Sequence, residues 1–260
     1  MPVLFIGHGS PMNIILENPF TNSLTQISKN IPIPKAILVI SAHWLTQGTK
    51  ILCVNNPKTI YDFYGFPKKL YQITYPSSGS PKLAKDITKR IKSYEIKCDF
   101  EWGLDHASWA ILKHIYPKAD IPVLELSLDY QFNSWSPKPI EYHYKLAKEL
   151  SFLRNENVLI IGSGNIVHNL GIMDYNIDAH TMAWAQELDK KVKQNLMSKN
   201  HNGLIDYPSM GEIAKIGIPT WDHYLPFIYV IALQEEGESI KLIHEGFQHG
   251  SISMRCFQIG

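Results

Sequence analysis

The sequence predicts an α/β fold in which helices flank a central, mostly parallel β-sheet. Short apolar runs rich in β-branched residues alternate with longer amphipathic segments, as in sheets with helical crossovers. Gly, Pro or Ser residues bound the apolar runs, as expected at strand ends. The predicted strands are residues 3–6, 36–40, 123–128 and 158–161, with closing strands near 240–245 and 251–257.

Four amphipathic or apolar segments between these strands are predicted helices. They cover residues 81–94, 139–153, 178–197 and 224–234. Pro81 and Pro139 suit a first helical turn, and Asp178 is the expected N-cap of the third helix. Segment 55–79, rich in Tyr, Pro and Gly, is predicted to be a loop, and residues 1–260 are expected to form one domain.

The composition limits the classes of partner. The chain has 25 Lys and Arg residues against 24 Asp and Glu residues, so it lacks the basic excess typical of nucleic-acid or anionic-membrane binding. No stretch approaches the ~20 apolar residues that a membrane-spanning helix needs. Neither nucleic acid nor membrane is therefore an expected partner.

The cysteines and the N-terminal residues bear on the compartment. Cys53, Cys98 and Cys256 are far apart and form no CxxC pair, so they match neither a zinc ribbon nor a redox motif. The first residues lack the basic and apolar regions of a signal peptide. We therefore expect a cytoplasmic protein with reduced thiols.

Several of the eleven histidines follow predicted strands. His8, His43 and His168 come shortly after the strands that begin at residues 3, 36 and 158. The carboxyl ends of parallel strands open on one edge of a sheet, where ligands bind, so these three rings are expected to face one crevice. His223 lies in a Pro- and Trp-rich turn before a helix, and His106 opens another predicted helix.

Other features favour structural roles or leave two explanations open. His114, His143, His180 and His201 lie in or beside amphipathic helices, where a histidine usually serves packing or solvation. His244 and His249 are five residues apart, which does not fit the HExxH zinc motif. The glycine-rich segments 7–10 and 162–165 suit either backbone anion nests or sharp turns at strand ends.

Taken together, several motifs resemble the DOPA 4,5-dioxygenase branch of the class III extradiol ring-cleavage dioxygenases. The resemblance extends from the first strand to the last, so it is specific. It rests on GHGSP at 7–11, SAHW at 41–44, GLDH at 103–106, GSGN at 162–165, HNL at 168–170, His223, HEGF at 244–247 and SISMR at 251–255.

This resemblance implies a metal at the carboxyl edge of the sheet. His8 and His43 match the family's two histidine ligands, and His223 replaces the glutamate that most class III enzymes use. Three neutral imidazoles make the site one charge more positive than two imidazoles and a carboxylate, and they suit zinc as well as iron. One divalent ion per chain is expected, with Fe(II) for activity and Zn(II) as a plausible occupant.

The implied reaction is extradiol cleavage of a catechol such as DOPA, with insertion of both atoms of dioxygen. His168 is the candidate acid and base, with the role of a fourth metal ligand left open. His106 is a second candidate catalytic residue, which would orient the substrate or stabilise its anionic oxygen. The alternatives are a zinc hydrolase of an amide or ester and a non-catalytic binding protein on the same fold.

Overall fold

The computed structural model describes residues 1–130 and 137–260, with side chains omitted for 137–139. Eight strands in this described part form one mixed sheet in the order β4-β3-β5-β2-β6-β1-β10-β7, and β8 pairs with β9. The strands are β1 (Val3–Gly7), β2 (Ala36–Thr46), β3 (Thr49–Leu52), β4 (Ile96–Asp99), β5 (Val123–Asp129), β6 (Val158–Gly164), β7 (Ile240–His244), β8 (Phe247–Gln248), β9 (Ile252–Ser253) and β10 (Cys256–Ile259).

Helices cover both faces of the sheet. They are α1 (Pro19–Ile27), α2 (Pro81–Arg90), α3 (His106–Ile115), α4 (Pro137–Glu149), α5 (Phe152–Asn155), α6 (Ala183–Met197), α7 (His201–Ile205), α8 (Glu212–Gly217) and α9 (Leu225–Ala232), with short 3-10 helices at Pro11–Ile14, Lys68–Gln72 and Tyr207–Met210. Among the described residues, no helix combines the length and apolar character needed to cross a membrane.

Strand residues alternate between two apolar cores. In β1, Val3 and Phe5 belong to the core that α4, α6 and α9 cover, whereas Leu4 and Ile6 belong to the core under α1 and α3. This alternation follows from the two-residue period of a strand. The central strands β5, β2, β6 and β1 are parallel to one another, so the predicted fold class is confirmed.

The two strands at the β4 end of the sheet and one closing strand differ from the prediction. β3 and β4 were not predicted, because each has only four residues and mixes Lys with apolar residues. The closing segment 251–257 contains two strands, β9 and β10, instead of one.

Three predicted helices have different bounds. α2 ends at Arg90 because Ile91 adopts an extended conformation and is buried. The segment 139–153 contains most of α4, which ends at Glu149, and the first residues of the short helix α5. The expected N-cap at Asp178 is wrong: α6 begins at Ala183, since backbone hydrogen bonds of Ile177 and Met182 to residues 249 and 250 hold the preceding segment away from helical geometry.

Two cysteines are bonded, contrary to the expectation of reduced thiols. Cys53 follows β3 and Cys98 lies in the adjacent β4, and a disulfide joins them across a Cα–Cα distance of 5.4 Å. Cys256 is free and buried. The pair is separated by 45 residues, so no local spacing motif announced it.

Candidate metal centre

Strand β1 places His8 at the carboxyl edge of the sheet. The backbone N–H of His8 donates to the carbonyl oxygen of Gly164 at 3.1 Å, so the first residue after β1 is fixed beside the end of β6. His43 was expected just beyond its strand, but β2 continues to Thr46 and contains it. Pairing of β2 with β6 ends at Ser41, and its register with β5 shifts between Ile40 and Leu45.

Two glycines of β6 allow the turn that carries His223 to lie directly on the sheet. A Cβ atom at Gly164 would lie 2.2 Å from the carbonyl oxygen of His223, and one at Gly162 would lie 2.3 Å from that of Pro226. Neither distance leaves room for a side chain. Both glycines belong to the strand, so they provide close packing and not the sharp turn or anion nest considered from the sequence.

These elements bring three imidazole rings together. One ring nitrogen from each of His8, His43 and His223 lies within 4.8 Å of the other two, and the Nε2 atoms of His8 and His43 are 3.2 Å apart. His8 and His223 are buried, whereas the His43 side chain is 22% exposed. The candidate centre therefore opens to solvent beside His43.

Hydrogen bonds at the opposite nitrogens assign the tautomers of these rings. The Ser163 hydroxyl donates to the Ala107 carbonyl oxygen at 2.6 Å, so it must accept from His8 Nδ1 at 3.1 Å. His43 Nδ1 and His223 Nδ1 lie 3.1 Å and 2.6 Å from carboxylate oxygens of Asp62 and Asp222. An ionised carboxylate only accepts hydrogen bonds. Each Nδ1 therefore carries a hydrogen, and each Nε2 presents a lone pair.

Such a donor set fits a divalent cation. Facing lone pairs 3.2 Å apart repel one another unless a positive charge lies between them. Histidines that donate Nδ1–H to a carboxylate or hydroxyl while Nε2 faces a common point are typical of metal ligands. Three neutral imidazoles suit zinc or iron.

Burial keeps two of the rings neutral. It lowers the pKa of His8 well below 6.5, and the neighbouring His43 and His223 lower it further. Burial also lowers the pKa of His223, although its hydrogen bond to Asp222 opposes that shift. Neutral imidazole is the form that binds a metal, so these environments favour coordination at neutral pH.

The other two candidate residues border this group without joining it. The His168 ring stacks on that of His223, with centroids 3.5 Å apart and an angle of 7° between the planes. Among the described residues, no set of three or more candidate ligands includes His168. His106 begins α3, where Asp105 is the N-cap, and its ring centroid is 4.1 Å from that of His43.

Asp62 is a site residue that the sequence analysis missed. Its Oδ2 atom lies 3.1 Å from His43 Nδ1 and 2.8 Å from His106 Nδ1. Burial raises the pKa of Asp62, but the hydrogen bonds from both histidines outweigh burial and hold it below its usual range. It lies in a loop with no strand or helix to mark it. Asp62, His43 and His106 also form a second group with ligand atoms within 4.8 Å.

A buried carboxyl network supports the site from behind. Asp105 accepts a hydrogen bond from the Ser41 hydroxyl at 2.6 Å, and that hydroxyl accepts one from the His43 backbone N–H at 3.1 Å. Glu125 accepts from the Asp105 backbone N–H at 2.9 Å and from Trp102 Nε1 at 3.0 Å. Burial, with the charge of Asp62, raises the pKa of Asp105 to about 6, and burial beside Asp105 raises that of Glu125 well above 4.5.

Comparison with known proteins identifies the family. Residues 2–254 match the catalytic LigB subunit of aromatic ring-opening dioxygenase. The chain belongs to the LigB family. It is 40% identical over 264 residues to 4,5-DOPA dioxygenase extradiol of Escherichia coli (strain K12), with 100% of this chain and 95% of the relative covered. A protein of the same name from Beta vulgaris is 35% identical, with coverages of 98% and 94%.

A solved structure agrees with this assignment. The crystal structure of uncharacterized protein JW3007 from Escherichia coli K12 is similar to this LigB-family chain with a TM-score of 0.85 and 37% identity, covering 100% of both chains. The expected family is thus confirmed, and the protein is an extradiol aromatic ring-opening dioxygenase. Its substrates are an aromatic compound and dioxygen.

Proposed function

We propose that this dioxygenase binds one divalent metal through His8, His43 and His223 and opens the ring of a catechol such as DOPA, inserting both atoms of one dioxygen molecule. One ring nitrogen from each of these histidines lies within 4.8 Å of the other two at the carboxyl edge of the sheet, and this convergence carries the proposal. The names of the relatives from Escherichia coli and Beta vulgaris, both 4,5-DOPA dioxygenase extradiol, support the substrate class.

Fe(II) is the proposed metal of the active enzyme. When bound to the three histidines, it would supply a redox-active centre with open positions, as ring cleavage by dioxygen requires. Zn(II) suits the same three nitrogens and is the proposed occupant when iron is scarce.

His168 is the proposed acid and base. Burial lowers its pKa well below 6.5, with the nearby His223 as the next cause, so the ring is neutral at pH 7 and able to take a proton from a catechol hydroxyl. Its stacking on His223 favours this role over that of a fourth ligand. His106, held at Nδ1 by Asp62, would use Nε2 to accept a hydrogen bond from the second hydroxyl and orient the substrate.

Anaerobic reconstitution tests this function. Metal-free protein is loaded with Fe(II) or with Zn(II), and oxygen uptake is followed with an electrode on a panel of catechols that includes DOPA. We expect one dioxygen consumed per ring opened, a yellow product, and activity with Fe(II) only. Hydrolysis of amides or esters by the zinc form, without oxygen uptake by the iron form, would contradict the proposal.

A His168→Ala variant separates the two roles of that residue. We expect the variant to fold, to retain Fe(II) at one ion per chain and to lose at least about 100-fold in kcat, because the proton acceptor is removed. Iron content and oxygen uptake are measured on the same sample. If the variant instead loses its iron, His168 is a fourth ligand.

A further inference from the structure

Asp62 contacts both a proposed metal ligand and a proposed catalytic histidine. Building on the proposed function, we propose that Asp62 is a positioning residue whose single carboxylate fixes the tautomers of both rings, so that His43 presents Nε2 to the metal and His106 presents Nε2 to the substrate.

The two carboxylate oxygens of Asp62 together receive three N–H groups. Oδ2 lies 3.1 Å from His43 Nδ1 and 2.8 Å from His106 Nδ1, while Oδ1 accepts the backbone N–H of His106 at 2.8 Å. The carboxylate can only accept, so both Nδ1 atoms carry a hydrogen. Each ring is then left with an Nε2 lone pair, as a ligand or a hydrogen-bond acceptor requires.

Asp222 offers a natural comparison because, among the described residues, His223 is the one ring to which its side chain is hydrogen-bonded. Its Oδ2 atom lies 2.6 Å from His223 Nδ1. Asp62 therefore fixes the tautomers of two rings, whereas Asp222 fixes the tautomer of one.

Hydrogen bonds to the backbone of Ile60 hold the segment before Asp62 in place. The Ile60 N–H donates to the Leu104 carbonyl oxygen at 2.7 Å, and Trp109 Nε1 donates to the Ile60 carbonyl oxygen at 2.8 Å. The segment before Asp62 is thus tied to the segment around His106, and the next residue, Phe63, packs edge-on against the His106 ring with centroids 5.5 Å apart. The carboxylate is consequently a fixed part of the site and not an incidental loop side chain.

The decisive substitution is Asp62→Asn, which keeps the size of the side chain. An amide has one acceptor oxygen and one NH₂ group, so it cannot accept from all three donors. An NH₂ group directed at the rings would require bare Nδ1 atoms and would place a hydrogen on Nε2, against the metal. We expect the dissociation constant for Zn(II), measured by competition with a chromophoric chelator, to rise about 10- to 100-fold.

Two further variants show whether the effect is particular to Asp62. Asp222→Asn should also raise the Zn(II) dissociation constant, but at saturating Fe(II) Asp62→Asn should lower kcat at least about tenfold more, because Asp62 also sets His106. Asp86→Asn, at an exposed ion pair with Arg90 on α2, controls for the loss of a surface carboxylate and should change neither quantity. A rise in the Zn(II) dissociation constant of Asp62→Asn with an unchanged kcat at saturating Fe(II) would contradict the dual role.

A spectroscopic readout needs neither activity nor a variant. Two-bond ¹H–¹⁵N spectra of histidine-labelled, zinc-loaded wild-type protein should show His43 and His106 protonated at Nδ1. An Nε2–H form of either ring overturns the proposal. A second zinc ion bound to each chain, held by His43, Asp62 and His106, overturns it as well. If these readouts agree while no catechol causes oxygen uptake, the proposed function fails and the positioning role of Asp62 stands.

Discussion

His8 in the candidate metal centre and His143 in α4 are both buried, yet they differ at one ring nitrogen. His143 has a partner at each: Nδ1 lies 3.1 Å from the Tyr229 hydroxyl and Nε2 lies 3.2 Å from the Asp129 carbonyl oxygen. At the metal centre, Nδ1 of His8 has a hydroxyl partner, whereas its Nε2 faces the Nε2 of His43.

This difference separates a structural histidine from a candidate ligand better than burial does. Burial lowers the pKa of His143 to about 3 and also lowers that of His8, so both rings are neutral at pH 7. Of these two rings, only His8 has a nitrogen lone pair that faces the lone pair of another histidine, and a cation stabilises that arrangement. A buried, neutral histidine is therefore a candidate metal ligand only when one of its ring nitrogens lacks a hydrogen-bond donor beside it.

The largest expected effect concerns metal affinity. Single substitution of His8, His43 or His223 by Ala should raise the Zn(II) dissociation constant about 100- to 10,000-fold, because each ligand accounts for roughly a quarter to a third of the ~10–16 kcal/mol typical of zinc sites. The dissociation constants are measured by chelator competition, and bound metal by elemental analysis.

His143→Gln is the matched control for these variants. It removes a buried imidazole but preserves a donor and an acceptor, so its metal content and affinity should equal those of the wild type. Full metal occupancy in all three alanine variants would refute the ligand set. Metal loss in His143→Gln would show that His143 also affects metal binding, against the distinction between His143 and the candidate ligands.

A smaller effect is expected in the pH dependence of stability. The folded chain holds the pKa of His143 at about 3, whereas in the unfolded chain it returns to ~6.5. Between these values the unfolded state binds the extra proton, so this contribution is present above pH 6.5 and is lost as the pH falls. Between pH 7 and pH 5 the loss is about 2 kcal/mol in the free energy of unfolding.

Urea unfolding of metal-free wild-type protein and His143→Gln at the two pH values isolates this contribution. The buried histidines of the site shift the wild type and the variant alike, so they cancel in the difference. The wild type should therefore lose about 2 kcal/mol more than the variant. Identical losses would show that His143 accepts a proton without cost in the folded state.

The sheet was predictable where strands are long and apolar. Residues 36–40 and 158–161 are continuous apolar runs because helices bury both faces of a parallel sheet, and that pattern is visible in one dimension. β3 and β4 were missed because each has only four residues and mixes Lys with apolar residues, so neither shows a continuous apolar run. The start of α6 was missed because hydrogen bonds to residues 249 and 250, distant in sequence, override the local capping signal at Asp178.

The candidate site was partly predictable for a similar reason. His8 could be identified because it follows an obvious strand, and a strand end has a defined position in a parallel sheet. His43 was identified although β2 extends beyond it. Asp62 and Glu125 could not be identified, since one lies in an irregular loop and the other inside an apolar strand, and only their partners reveal their roles.

The sequence alone determined the alternation of the central strands with helices, the family and the histidines available for coordination, since all of these depend on residue type and short-range spacing. The tertiary structure decided which nitrogen of each ring is bare, which carboxylate holds it, and which cysteines are bonded. The hydrogen bonds of His8, His43 and His106 depend on distances of about 3 Å between residues that are 19 to 155 positions apart, and the disulfide joins residues 45 positions apart. Local sequence preferences cannot encode such distances, because they arise only when the sheet brings separate segments together.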